Sequence, residues 1–173
     1  MDIRAKTADN TQLNIEVQLT NQYNMDKRTM FFWEKLFLEG IKKGEDYINL
    51  SKVITINILD FDYLDIGKFH IKYHLWEDSE ENYLLADLIE IHFIEMPKFK
   101  RLKQKNLKGN PLHRWLSFFD KMLTEDELKE LIEMNSALKG LRLSLSISVR
   151  IKKQLDCTKH VKMQLKLLKT LFL

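Results

Sequence analysis

The 173-residue chain has a single cysteine, Cys157, so neither an intramolecular disulfide framework nor a cysteine zinc cluster is available to it. No stretch approaches the roughly 20 apolar residues that a membrane helix requires, so no bilayer crossing is expected. The opening residues, MDIRAKTADN, lack the apolar core of a secretory signal. A cytoplasmic protein with no membrane partner is the resulting expectation. Acidic residues are nearly missing from the far end, where 141–173 hold eight Lys or Arg and one acid, Asp156. The net charge of +3 therefore conceals a segment at +7 after 140 residues at −4. With 45% apolar and 31% charged residues, the chain suits one ordinary globular domain with a real core.

What is present is a strong alternation near the front. Asp2 to Thr7 alternates charged and uncharged residues, and LNIEVQLT places Leu13, Ile15, Val17 and Leu19 on one side. Asn14, Glu16, Gln18 and Thr20 fall on the other side. Asp9 and Asn10 between the two runs are a turn pair, because both tolerate left-handed backbone. The spacing predicts a hairpin. From Asn24 to Lys43 the period lengthens: Met30, Trp33, Leu36, Phe37 and Ile41 recur at helical spacing, with Asn24 or Asp26 as cap and Gly44 as stop. VITINILDF, apolar on both faces, reads as a covered central strand. FHIKYHLWE and LIEIHFIEM read as two more strands, separated by the polar turn SEEN and ended at Pro97. Two helices follow, Pro111 to Met122 and Thr124 to Met134, the second opened by a Thr124–Glu127 capping box. Strand, strand, helix, three strands, then helices is a mixed α/β order.

A turn centred on Asp9-Asn10 sets residues whose numbers sum to about 19 across from each other, so Asp2 and Glu16 are near neighbours. Glu16 and Gln18 project from one face, being two apart. Two convergent carboxylates suit a hard cation such as Mg²⁺ or Mn²⁺, which can acidify a bound water and stabilise charge on a scissile phosphate. Gln18 stands where a lysine more often orients the attacking water, and an amide can position but not supply charge. From spacing alone the plainer reading of this alternation is the wet face of an ordinary hairpin, with Arg4 and Lys6 available to pair with these acids.

The Asp…Glu-x-Gln pattern, with a helix following, resembles the core of PD-(D/E)xK nucleases. DIRAKTADNTQLNIEVQLTNQYNMDKRTMFFWEKLF, then ITINILDF, then LLADLIEIHFIEMPKF together resemble the Rpn family, recombination-promoting nucleases grouped with transposases of that class. The resemblance runs from Asp2 to about Lys139. It implies an α/β fold: a PD-(D/E)xK nuclease-like mixed β-sheet core flanked by helices, over 1–97. It also implies a DNA endonuclease using Mg²⁺ or Mn²⁺ in the bacterial cytoplasm. Asp2 and Glu16 match the metal-binding acids, and Gln18 the last residue of the E-x-Q motif that these proteins carry in place of E-x-K. The family has a helix and a strand ahead of the Asp, so the chain is expected to lack the first core helix and to be impaired as a nuclease. The alternative is a catalytically dead remnant or an interaction module.

Lys27 and Arg28 follow the motif strand and could approach DNA phosphates. So could the basic connector KFKRLKQKNLK, which holds Lys98, Lys100, Arg101 and Lys103 and opens a region spanning 98–140. A solvated helix face is an equal reading of Lys27 and Arg28; for the connector, the family resemblance favours DNA backbone over a solvated loop. The family's charged, Glu-rich helix is expected after MNSALK, but 141–173 is basic instead. VRIKKQLDCTKHVK back-translates, one base away, to the helical sequence SQDKEAIRLYEARE, so 141–173 is expected to be out-of-frame translation. The alternative is a basic amphipathic arm. His70, His74 and His92 complete no metal-ligand spacing and are expected to be ordinary partly buried histidines. Phe31, Phe32, Trp33 and Phe37 are expected to form a core stripe, as are Trp115, Phe118 and Phe119.

Overall fold

A computed structural model describes residues 2–119, with side chains from residue 4 to residue 117. The helix expected at Thr124 to Met134 and the segment 141–173 lie outside the described residues. The chain divides into two compact units, Met1–Arg101 and Leu102–Leu173.

The first unit is built on a five-stranded mixed sheet. Its strands are β1 (Asp2–Lys6), β2 (Gln12–Gln18), β3 (Val53–Leu59), β4 (His70–Tyr73) and β5 (Ile89–Glu95), in the order β1-β2-β3-β5-β4. The turn between β1 and β2 is the expected one. Asn10 adopts φ 72°, and the Asp9 carboxylate accepts from the hydroxyls of Thr7 and Thr11. Those bonds hold the Asp9 pKa below its ordinary value. Strands β1 and β2 are antiparallel with Asp2 opposite Glu16 and Ile3 opposite Ile15, so the facing numbers sum to 18. Strands β2 and β3 are parallel, which forces a crossover, and helix α1 (Met25–Glu39) supplies it. Val53 to Leu59 is buried almost throughout, as its β-branched, two-sided apolarity predicts for the central position.

Three boundaries differ from the sequence reading. Helix α1 ends at Gly40 rather than Gly44: the Gly40 N–H donates to the Phe37 carbonyl at 3.1 Å as the cap, and the Gln12 amide donates to the Leu36 carbonyl at 3.0 Å beside it. Gly44, at φ 90°, serves the turn that follows. Only four residues of FHIKYHLWE pair as a strand, followed by a lone bridge between Trp76 and Leu84. Pro97 does not open a loop: it begins the short helix α2 (Met96–Lys100), where its missing N–H costs nothing. In the second unit, helix α3 (Pro111–Phe119) starts where the Asn110 carboxamide oxygen accepts from the N–H groups of Leu112 and His113.

The aromatic stripe expected on α1 is not its inner face. Met25, Thr29 and Leu36 are the buried positions, Phe31 is 61% exposed, and Trp33 stacks on Phe37 at 4.8 Å. Met25 instead joins Leu59, Ile91 and Phe93 in a core cluster beneath the helix. The opposite sheet face carries a buried polar chain on β4 and β5. His70 Nε2 and His92 Nδ1 are 2.8 Å apart, His92 Nε2 lies 2.6 Å from Glu90 Oε1, and Lys52 reaches Glu90 at 2.6 Å and Asp87 at 2.7 Å. His74 and Lys72 sit farther from Glu90, at 3.7 and 3.8 Å.

Burial, reinforced by His92 and Lys72, pushes the His70 pKa down to about 4. Burial alone would raise Glu90, but the bonds from Lys52 and His92 outweigh it and draw that pKa down to about 2. A histidine depressed in the folded state takes up its proton first in the unfolded chain, so its contribution is complete above pH 6.5 and lost as pH falls towards 4. The Glu90 contribution is present above about pH 4.5 and lost towards 2. Denaturant unfolding is therefore expected to show a loss on the order of 1–2 kcal/mol between pH 6.5 and 4, after allowance for solvent screening. A second loss follows below pH 4.5. His70→Gln should reduce the first step, the remainder belonging to His92, whose pKa burial also lowers, and leave the second.

Candidate active site

The site grows from the parity of β2. Its even-numbered residues, Gln12, Asn14, Glu16 and Gln18, share the sheet face with Thr55 and Asn57 of β3, their register partners being Asn14 with Thr55 and Glu16 with Asn57. Asp2 occupies the register position across from Glu16 on the other side. Three adjacent strands thus set Asp2, Glu16 and Asn57 in one row. A wet hairpin face was the plainer expectation for these residues, and it fails: Glu16 and Asn14 are each 2% exposed. The reason is topological. The crossover that makes β2 and β3 parallel lays α1 across this face, so polarity in the strand does not report exposure.

Helix α1 meets the polar row with polar groups of its own. Arg28 Nε contacts Glu16 Oε2 at 3.3 Å, and Gln18 Nε2 donates to the same oxygen at 3.3 Å. The Thr29 hydroxyl donates to Asn57 Oδ1 at 3.0 Å, while Asn57 Nδ2 donates to the His92 carbonyl at 3.1 Å. Arg4 reaches Glu39 at 3.1 Å on the protein surface. Among the described residues, Glu16 Oε1 is buried with no hydrogen-bond partner, and so are Asn14 Nδ2 and Thr55 Oγ1 on the same face. A bare, buried carboxylate oxygen is costly in a folded protein and marks a place for an absent donor or cation. That oxygen fits a hard divalent ion, whose preferred ligands are carboxylates. Among the described residues, no three His, Cys, Asp or Glu side chains gather as a complete metal cage.

The sequence model of the family described as PD-(D/E)XK nuclease family transposase matches residues 1–166. The chain belongs to that family. No curated protein and no solved structure matches it. Membership in the PD-(D/E)XK nuclease transposase family accords with the mixed five-stranded sheet flanked by helices and gives the protein a nuclease-type function. Nucleases of this superfamily generally use divalent metal ions and act on DNA. Among the described residues, no helix is long and apolar enough to cross a membrane.

The basic candidates separate into different environments. Lys27 is exposed on the first turns of α1, next to Asp26, whose carboxylate accepts from Tyr63 Oη at 2.9 Å and pins that helix end. Lys98 turns inward: its ammonium lies 2.8 Å from the fully buried Glu95 and donates to the carbonyls of Leu64 and Ile66. Glu95 also accepts from the N–H groups of Tyr63 and Leu64, so this pair fastens the loop after β3. Lys100 lies 3.6 Å from Asp60, and Arg101 binds both oxygens of Asp62. Lys103 is exposed in the second unit.

Sequence reasoning passed over Thr29, Asn57 and Thr55. Their signal was present in VITINIL, where Thr55 and Asn57 are two polar residues of one parity inside an apolar strand. Thr29→Val, nearly isosteric, removes the donor to Asn57 Oδ1 and leaves that oxygen buried and unpaired. Denaturant unfolding should show a loss of about 1–3 kcal/mol. A change within a few tenths would mean that the row does not depend on α1 for its hydrogen bonds.

Proposed function

We propose that this protein is a divalent-metal-dependent DNA endonuclease whose hydrolytic site is the row Asp2–Glu16–Gln18 on the β1–β2 hairpin. The observation that carries this reading is the unpartnered Oε1 of Glu16: a buried carboxylate oxygen, in the E-x-Q spacing, level with Asp2 across the hairpin. Glu16 and Asp2 would hold Mg²⁺ or Mn²⁺. Such an ion, when bound, lowers the pKa of a coordinated water and stabilises charge developing on the phosphate.

The chain's own residues do the rest by position. Gln18 has its amide nitrogen on Glu16, so the nitrogen end is anchored and the carbonyl end can accept a hydrogen bond from a water and orient it. Being neutral, Gln18 leaves the positive charge of this site to Arg28, which approaches the same carboxylate oxygen. The exposed Lys27, with Lys100, Arg101 and Lys103, would meet DNA phosphates without reading sequence. Lys98, held by Glu95 and two carbonyls, is a support of the loop rather than a DNA contact. The cytoplasm is the compartment in which we place this activity.

Nicking of supercoiled plasmid tests the reading. Cleavage should require Mg²⁺ or Mn²⁺, stop with a chelator, and fall at least about a hundredfold in Glu16→Gln, which keeps the shape of the side chain and removes its charge. Equal nicking by Glu16→Gln and the parent protein would remove this site from the reaction.

A further inference from the structure

Arg28 does something unusual for a residue at the edge of a metal-binding row. Glu16 is 2% exposed, and a carboxylate so placed must be neutralised or carry a penalty of several kcal/mol. Its neutralising partner among the described residues is Arg28, 36% exposed, reaching in from α1. The contact is loose: 3.3 Å, where a charge-assisted N–H···O bond is ordinarily about 2.7–2.9 Å. It is also one-sided. Arg28 and Gln18 both approach Oε2, and Oε1 is left bare. A guanidinium can bind a carboxylate through both oxygens, as Arg101 does with Asp62 in this same protein. Arg28 does not. The same guanidinium also lies over an aromatic ring, its carbon 5.1 Å from the centroid of Phe32, within cation–π range.

We propose that Arg28 is the resident counter-cation of this site, which stabilises buried Glu16 when no metal is bound and opposes metal binding at the same carboxylate. The inference rests on the reading that Glu16 holds the metal. A divalent ion and a guanidinium share one anion, so each weakens the hold of the other; by linkage the effect is reciprocal. Arg28 thereby sets the metal concentration at which the site fills, and it spares the metal-free protein an uncompensated buried charge. Its 36% exposure lets it swing towards solvent without unfolding α1. Arg28 is a positioning residue in this scheme, acting through Glu16.

The variant is Arg28→Met, which keeps an apolar stem over Phe32 and removes the charge. Manganese alone is the probe, titrated into the full chain and read by electron paramagnetic resonance of the free ion. The variant should bind Mn²⁺ about tenfold more tightly than the parent, equivalent to about 1.4 kcal/mol. Its metal-free Tm should fall by about 6–12 °C, the result of stranding a buried carboxylate in a chain of this size. Saturating Mn²⁺ should restore most of that fall, a larger gain than the parent shows. A merely structural role for Arg28 would lower stability and weaken Mn²⁺ binding together.

Where Arg28→Met is too unstable to titrate, the parent protein supplies the second measurement. The Arg28 Nε–H resonance should be slowly exchanging without metal and should shift or broaden into exchange when Mg²⁺ is added. An unmoved resonance at saturating Mg²⁺, or unchanged or weaker Mn²⁺ binding by the variant, overturns the proposal and leaves Glu16 as a metal ligand. Absence of Mn²⁺ binding in the parent and in Arg28→Met alike overturns both the proposal and the metal site beneath it.

Discussion

The structure turns on the burial of one carboxylate. Glu16 sits in the second of five strands, with β1 on one side and the central β3 on the other, and a helix lies across the face it projects from. In that position its charge has to be met by something nearby, and among the described residues what meets it is a single guanidinium on one oxygen. The rest of the row follows from this constraint. Gln18 turns its amide towards the same oxygen, Thr29 and Asn57 satisfy each other beside it, and Oε1 is left with capacity to spare. A core of ordinary apolar residues would be simpler and no less stable. A protein that keeps a charge here gains a place where a cation can enter.

The same topology explains why the two sheet faces differ. The parallel β2–β3 pair obliges the chain to cross over, and the crossover helix covers the face that carries the acids. On the other face, the His70–His92–Glu90 chain runs on to Lys52, which reaches Glu90. No metal cage forms there among the described residues. The contrast is informative: Glu90 is met by both Lys52 and His92, whereas Glu16 Oε1 has no hydrogen-bond partner among the described residues.

Much of this was legible in the sequence. The Asp9-Asn10 turn chemistry put the register of the hairpin within one residue, and the pairing of Asp2 with Glu16 follows from it. The β-branched run from Val53 announced a central strand. What could not be read was which side of β2 faces solvent, since alternation separates two faces without saying that either is wet. The inner face of α1 was misjudged for a related reason. Aromatic residues at helical spacing promise a core stripe, but the helix lies on a polar row and turns Thr29 and Arg28 towards it, leaving Phe31 outside. Gly40, not Gly44, ends the helix, and it does so beside Gln12, a residue 28 positions earlier that no local pattern reveals. Lys98 counted as one more base in a basic segment until the structure paired it with Glu95.

The central claim is that the bare oxygen of Glu16 is a cation site. Crystals of the protein soaked with Mn²⁺, with diffraction recorded at the manganese absorption edge, address it directly. The account predicts an anomalous peak within coordination distance of Glu16 Oε1, on the face shared with Asp2, about 2.0–2.3 Å from the oxygen. Oε1 hydrogen-bonded to a protein donor or to a water without anomalous signal, with manganese bound elsewhere or not at all, would contradict it.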